Sequence, residues 1–174
     1  MVNNDKKLYT SSMTIQNKGF SLMEILIVIA IIGILASIAL AVFGNTRYKV
    51  RDTKRKFEIG QIGRFLFIGD CYLPSGGYGE YDLAEVMTEI KVTYPQAQSL
   101  PNIKDPKSST DLVTNYRYQV IAKDKCVIYA NLENKDEVPT LSGLSGPEAG
   151  KGTGVLVGSS VGVNDTFVYY QYGK

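Results

Sequence analysis

Nineteen consecutive residues, Ile25 to Phe43, carry no charge, and Ser37 is the only polar side chain among them. At about 1.5 Å of rise per residue, roughly 20 apolar helical residues cross a hydrocarbon core about 30 Å thick. The run therefore predicts a membrane-spanning helix near the N-terminus. Glu24 abuts it on the N-terminal side. A carboxylate at the mouth of a span is costly unless something pairs with it, so its default reading is functional.

The residues leading into the run, Lys18-Gly19-Phe20-Ser21-Leu22-Met23-Glu24, resemble the cleavage and methylation motif of type IV pilins and type II secretion pseudopilins. Four features carry the resemblance together: a short basic leader, the Gly-Phe pair, the offset of Glu24 and the apolar helix. It implies that a prepilin peptidase cuts after Gly19 and that Phe20 becomes the N-methylated first residue. It also implies that Glu24, the fifth mature residue, serves assembly. One departure is that Ala41 stands where many members of the family carry a helix-kinking proline. A kink at that point is therefore not carried over.

Charge is unevenly spread. The leader holds Lys6, Lys7 and Lys18 against Asp5, so removing residues 1–19 turns a net charge of +2 into a neutral mature chain. Residues 45–64 hold seven basic residues against Asp52 and Glu58. A basic segment just past a span reads as a solvated face touching anionic head groups. Nucleic-acid binding is not expected, because no aromatic platform is interleaved with these cations before Phe57. Orientation is contested. The cations on the C-terminal flank outnumber those in the leader, which by the positive-inside rule puts that side in the cytoplasm. The family resemblance puts the C-terminal side outside, and the motif outweighs the count.

Two other readings of the N-terminus stay open. Ala39-Leu40-Ala41 has the small-x-small form of an ordinary signal peptidase site, but the apolar run exceeds the 7–15 residues of a usual signal core. An uncleaved single-span anchor is the other. No proline interrupts the chain between the span and Leu73, since the first is Pro74. Val50, Phe57, Ile59, Ile62, Phe65, Leu66 and Ile68 recur at imperfect helical spacing, which predicts one helix over 20–70 with an apolar stripe against the head. Gly60, Gly63 and Gly69 weaken it, each by up to about 1 kcal/mol relative to alanine.

Residues 74–79 read as a turn-rich loop. Asp82-Leu83-Ala84-Glu85 resembles a capping box, with Asp82 as the cap, Glu85 reaching back and a short helix to about Lys91. Three prolines make 93–111 a connection. Residues 115–122 and 126–132 read as an antiparallel hairpin around Lys123-Asp124-Lys125. Residues 133–154 are a long polar loop, 155–157 a short strand, and 166–172 a strand with Tyr169 and Tyr170 on opposite faces.

The chain has no histidine, the commonest general base. Gly150-Lys151-Gly152-Thr153-Gly154 lacks the spacing of a phosphate loop. Gly143-Leu144-Ser145-Gly146 is not a nucleophile elbow. No catalytic residue and no cofactor is expected. Glu133, Asp136, Glu137 and Asp165 are oxygen ligands that could serve calcium, as major pseudopilins often do in their C-terminal loop; a solvated acidic loop is the other reading. Asn164-Asp165-Thr166 fits a glycosylation sequon. Cys71 and Cys126 have no redox or zinc spacing. In an extracytoplasmic head they form a disulfide; otherwise they are two buried thiols.

The expected architecture is α+β. A leader (1–19) precedes a span or filament-core helix (20–44), its amphipathic continuation (45–73) and a small antiparallel sheet head (74–174). The resemblance implies the pilin fold and a non-enzymatic subunit of a homo-oligomeric filament. Its partners would be the prepilin peptidase/methyltransferase, an inner-membrane assembly platform and minor pilins. It would reside in the cytoplasmic membrane with the head outside, then in the filament. The type II secretion pseudopilus is the first reading and a true pilus the second. A membrane-anchored or secreted binding domain is the alternative from another class.

Overall fold

Ser21 starts the first helix. Its hydroxyl accepts from the Met23 amide at 3.3 Å and its carbonyl from the Glu24 and Ile25 amides at 3.0 and 3.2 Å. This is how a serine cap satisfies the open amides of a first turn. The helix, α1, runs Leu22–Leu66. The computed structural model describes residues 19–100, 103–107 and 113–174. The expected leader 1–18 and parts of the 93–111 connection lie outside the described residues. The chain forms two units, residues 1–42 and 43–174.

In the first unit every side chain from Leu22 to Leu40 is exposed. These nineteen residues are, among those described, the one helical stretch long and apolar enough to cross a membrane. Ser37 donates its hydroxyl to the Ile34 carbonyl at 2.7 Å, so the one polar group of the run is satisfied within its own helix.

In the second unit α1 buries Asp52, Arg55, Ile59, Ile62, Gly63 and Leu66. These recur mostly at spacings of three and four, the period of one helix face. The expected stripe is corrected here. Val50, Phe57 and Ile68 are exposed by 61%, 64% and 75%, and two charged residues continue the buried face instead. The expected helix over 20–70 is also too long. α1 stops at Leu66, where Gly69 at φ +73° turns the chain and the Tyr72 amide returns to the Leu66 carbonyl at 3.1 Å.

The head is one antiparallel sheet with helices packed on it. Its strands are β1 (Gly79–Asp82), β2 (Arg117–Ala122), β3 (Lys125–Asn131), β4 (Gly154–Val157) and β5 (Val168–Gly173), in the order β1-β2-β3-β5-β4. The hairpin β2–β3 closes at Lys123-Asp124, with Ala122 opposite Lys125. A second helix, α2 (Leu83–Thr93), starts at Asp82, whose carboxylate accepts from the Ala84 amide at 2.9 Å. The other polar partner at this cap is Thr114, whose hydroxyl donates to the same Asp82 oxygen at 2.8 Å. A short 3-10 turn, Pro95–Ser99, lies inside the expected connection. β1 falls where the sequence reads as loop and helix cap. It pairs with the edge of β2, and Arg117 bonds Glu80 across the pair at 2.8 Å.

Ile59, Ile62 and Leu66 of α1, Leu83, Val86 and Ile90 of α2, and Tyr118, Val120 and Ile128 of the sheet make one core. Cys71 and Cys126 are disulfide-bonded, tying the segment after α1 to β3. The bridge closes a loop of 55 residues, for which chain entropy gives about 4 kcal/mol.

Gly63 and Gly60 have opposite roles on α1. A Cβ at Gly63 would lie 2.2 Å from Tyr172 Cδ1 and 2.9 Å from its Cγ, so the whole ring would have to move. A Cβ at Gly60 would meet only Arg64 Nη1, at 3.8 Å. Gly63→Ala is therefore expected to destabilise the head by about 1–3 kcal/mol. Gly60→Ala is expected to stabilise it by up to about 1 kcal/mol. Denaturation of the full chain in detergent, followed by circular dichroism, measures both. Equal shifts of the same sign would show that helix propensity alone governs these sites.

Candidate assembly motif and buried ion cluster

The first region lies at the start of α1. Because Ser21 caps the helix, Gly19 and Phe20 stay outside it, and Phe20 is 78% exposed. Gly19 has no positive φ, and a Cβ there would meet no atom within 4 Å. The described fold therefore sets no steric demand for glycine at 19. Glu24 sits exposed in the first turn. The positive end of the helix dipole favours a carboxylate there. It stands four positions after Phe20 in the sequence.

The second region is in the head; of its residues only Glu133 and Glu137 were expected at a site, and as calcium ligands rather than as partners of basic side chains. Arg55 is wholly buried and surrounded by carboxylates. Its Nε and Nη2 donate to Asp105 at 2.6 and 2.9 Å, and its Nη1 to Asp52 at 2.6 Å and Glu133 at 2.7 Å. Arg51 holds the other side of Glu133, at 2.7 and 2.5 Å. Asp52 in turn accepts the Glu133 amide at 2.9 Å and the Asn134 amide at 2.8 Å. Lys56 pairs with Glu137. Together these bonds fasten one face of α1 to the segments around 105 and 133–137.

Burial alone raises the Glu133 carboxyl, but the bonds from Arg51 and Arg55 and their charges outweigh it and hold it below the ordinary range. The Lys56 bond likewise lowers Glu137. Burial works against the Arg55 charge, yet its three carboxylate partners leave its pKa raised.

The acidic residues considered as calcium ligands are therefore engaged elsewhere or apart. Glu133 faces two arginines and Glu137 a lysine, while Asp136 and Asp165 are exposed, with Asp165 in a turn at φ +61°. Among the described residues no group of three or more acidic, histidine or cysteine side chains is arranged to hold a metal ion. Asn164 of the sequon is also occupied. It is buried, and its side-chain nitrogen donates to the Asn131 carbonyl at 2.9 Å and to Asp105 at 3.4 Å. The glycine-rich loop 150–154 is held by Gln171, whose amide donates to the Gly152 carbonyl at 2.9 Å.

The signal that could have found the cluster is positional. Asp52 and Arg55 continue the 59–62–66 stripe by one to two helical turns, and a stripe counted on apolar residues alone passes over them.

Residues 16–40 match the family model of the prokaryotic N-terminal methylation motif. The match covers the motif and the apolar run and leaves the head unmatched. Comparison with curated proteins and with solved structures gave no match. The motif, the apolar helix and the α+β head together are consistent with a prepilin-type precursor of the type IV pilin-like family.

Proposed function

We propose that the chain is a structural, non-enzymatic subunit of a type IV pilus-like filament, assembled from the cytoplasmic membrane with its head outside. The single observation behind this reading is the match to the methylation motif at 16–40, which takes in the Gly19-Phe20 pair and the capped, almost wholly apolar start of α1. Prepilin peptidase removes residues 1–19, and Phe20 receives the methyl group. Glu24 guides assembly with neighbouring copies. The disulfide supports an extracytoplasmic head, because such bonds persist in oxidising compartments. Within the class we assign the chain to a type II secretion pseudopilus, and a true pilus is the sister reading.

Intact-mass analysis tests the processing. The mature chain is expected to begin at methylated Phe20, and a bulky residue at position 19 is expected to block cleavage. A chain beginning at Val42 would establish an ordinary signal peptide and a secreted binding domain instead. Deleting the gene then separates the sister readings: loss of a secreted protein marks a pseudopilin, and loss of surface fibres a pilin.

A further inference from the structure

We propose that the end of the head from which α1 emerges is a docking surface for anionic lipid, with Val161, Val163 and Phe167 as its apolar anchors. At this end β3 and β4 finish, β5 begins, and Asp52 and Arg55 meet Glu133. The β4–β5 turn closes here, with the Gly158 amide bonded to the Phe167 carbonyl at 2.7 Å and Gly162 to Thr166 at 2.9 Å.

The patterning of this turn is inside out. Asn164 and Thr166 point inward, only 3% and 2% exposed, and bond Asn131 through the Asn164 amide at 2.7 Å and the Thr166 hydroxyl at 2.9 Å. The alternating residues Val163 and Phe167 point out, 51% and 48% exposed, and Val161 beside them is 54% exposed. A turn bathed only in water gains by the opposite arrangement, since burying polar groups costs and exposing apolar ones forfeits the hydrophobic effect.

The rim is cationic. Lys104 and Lys107, which flank Asp105, and Arg47, Lys49 and Lys135 on the neighbouring segments are exposed, alongside the exposed carboxylates Asp136 and Asp165 and the half-buried Glu133 and Glu137. Contacts place the segment around Asp105 against the turn. Asn164 touches Asp105, Asp105 bonds Arg55, and Lys107 lies 3.9 Å from Glu133. An apolar centre with a cationic rim is the composition that seats at an anionic bilayer interface. The candidate span ends at Leu40, seven positions before Arg47 in the sequence. The inference rests on the span alone and not on filament assembly.

The chain has no tryptophan, so one can be introduced as a probe. The full chain carrying Phe167→Trp is reconstituted into vesicles of phosphatidylglycerol and phosphatidylcholine with brominated acyl chains. Val92→Trp, on an exposed residue at the far end of α2, serves as reference. Quenching at 167 is expected at about threefold that at 92, with a blue-shifted emission, since interfacial anchors sit roughly 5–10 Å deep. It is expected to fall towards the reference value in phosphatidylcholine alone, with Arg47→Glu and Lys135→Glu combined, and at about 1 M salt, where the Debye length is near 3 Å. Equal quenching at 167 and 92 in the anionic vesicles overturns the proposal. So does protection of the probe only on adding a protein partner, which would make this a protein interface. A chain that fails to float with the vesicles removes the span and the proposal together, whereas processing at Gly19 is read separately by mass.

Discussion

Arg55→Ala is expected to unfold the head or leave it marginal at neutral pH. The substitution strands Asp105 and Asp52, both nearly fully buried, and takes one of two arginines from Glu133. Breaking a buried ion cluster by removing one partner costs about 3–5 kcal/mol, against about 5–15 kcal/mol for a whole domain. Arg55→Lys keeps the charge but cannot form the two parallel bonds to Asp105, so an intermediate loss is expected. Urea denaturation of the full chain in detergent measures both.

The pH dependence gives an independent reading. Glu133 and Glu137 are held below the ordinary carboxylate range in the folded head. Their contribution is therefore fully present above the unfolded pKa of about 4.3 and is lost as pH falls through the folded value. The wild-type head should lose stability on acidification below about pH 4. The gap to Arg55→Ala should narrow as well, because protonation of Glu133 takes from the wild type part of what Arg55 contributes. A gap that stays constant from neutral to acid pH would mean that packing of the guanidinium, not its charge, carries the effect.

Glu24→Gln is expected to leave cleavage and membrane insertion intact and to reduce filament formation or secretion by about tenfold or more, which corresponds to about 1.4 kcal/mol or more. On the proposed processing, cleavage after Gly19 would create a positive amine on Phe20, and methylation would leave that charge in place. Glu24 lies four positions on, in the first turn of a helix whose neighbouring side chains, Leu22 to Leu40, are all exposed and nearly all apolar. When such helices pack together, each subunit brings one positive and one negative group into a low-dielectric setting. An unpaired charge there costs several kcal/mol, and a well-placed pair offsets much of it. Pairing the amine of one copy with Glu24 of the next would set the axial register of each incoming subunit. Glu24→Asp, with its shorter reach, should fall between. The measurement is filament yield or secretion in a strain lacking the native copy. Wild-type assembly by Glu24→Gln would remove the register role and leave the carboxylate to processing or methylation.

What this sequence determined by itself is what its short-range order encodes. The apolar run from Ile25 marks the span, Gly19 to Glu24 the motif, and the aromatic and β-branched runs after Asn115 and Lys125 the hairpin. Asp82 announced its helix through local capping. Each of these depends on neighbours a few residues away or on a count. The two cysteines left a disulfide or two buried thiols open until the fold brought them together. The tertiary structure alone decided the rest. β1 has no apolar alternation of its own and exists because the edge of β2 accepts it. α1 ends at Leu66 and the chain turns at Gly69, although the apolar spacing runs on to Ile68. Above all, Asp52 and Arg55 are buried although both are charged. What makes that possible lies 50 and 78 residues along the chain from Arg55, at Asp105 and Glu133. A buried charge is tolerable only when its partners arrive in register, and that register belongs to the fold.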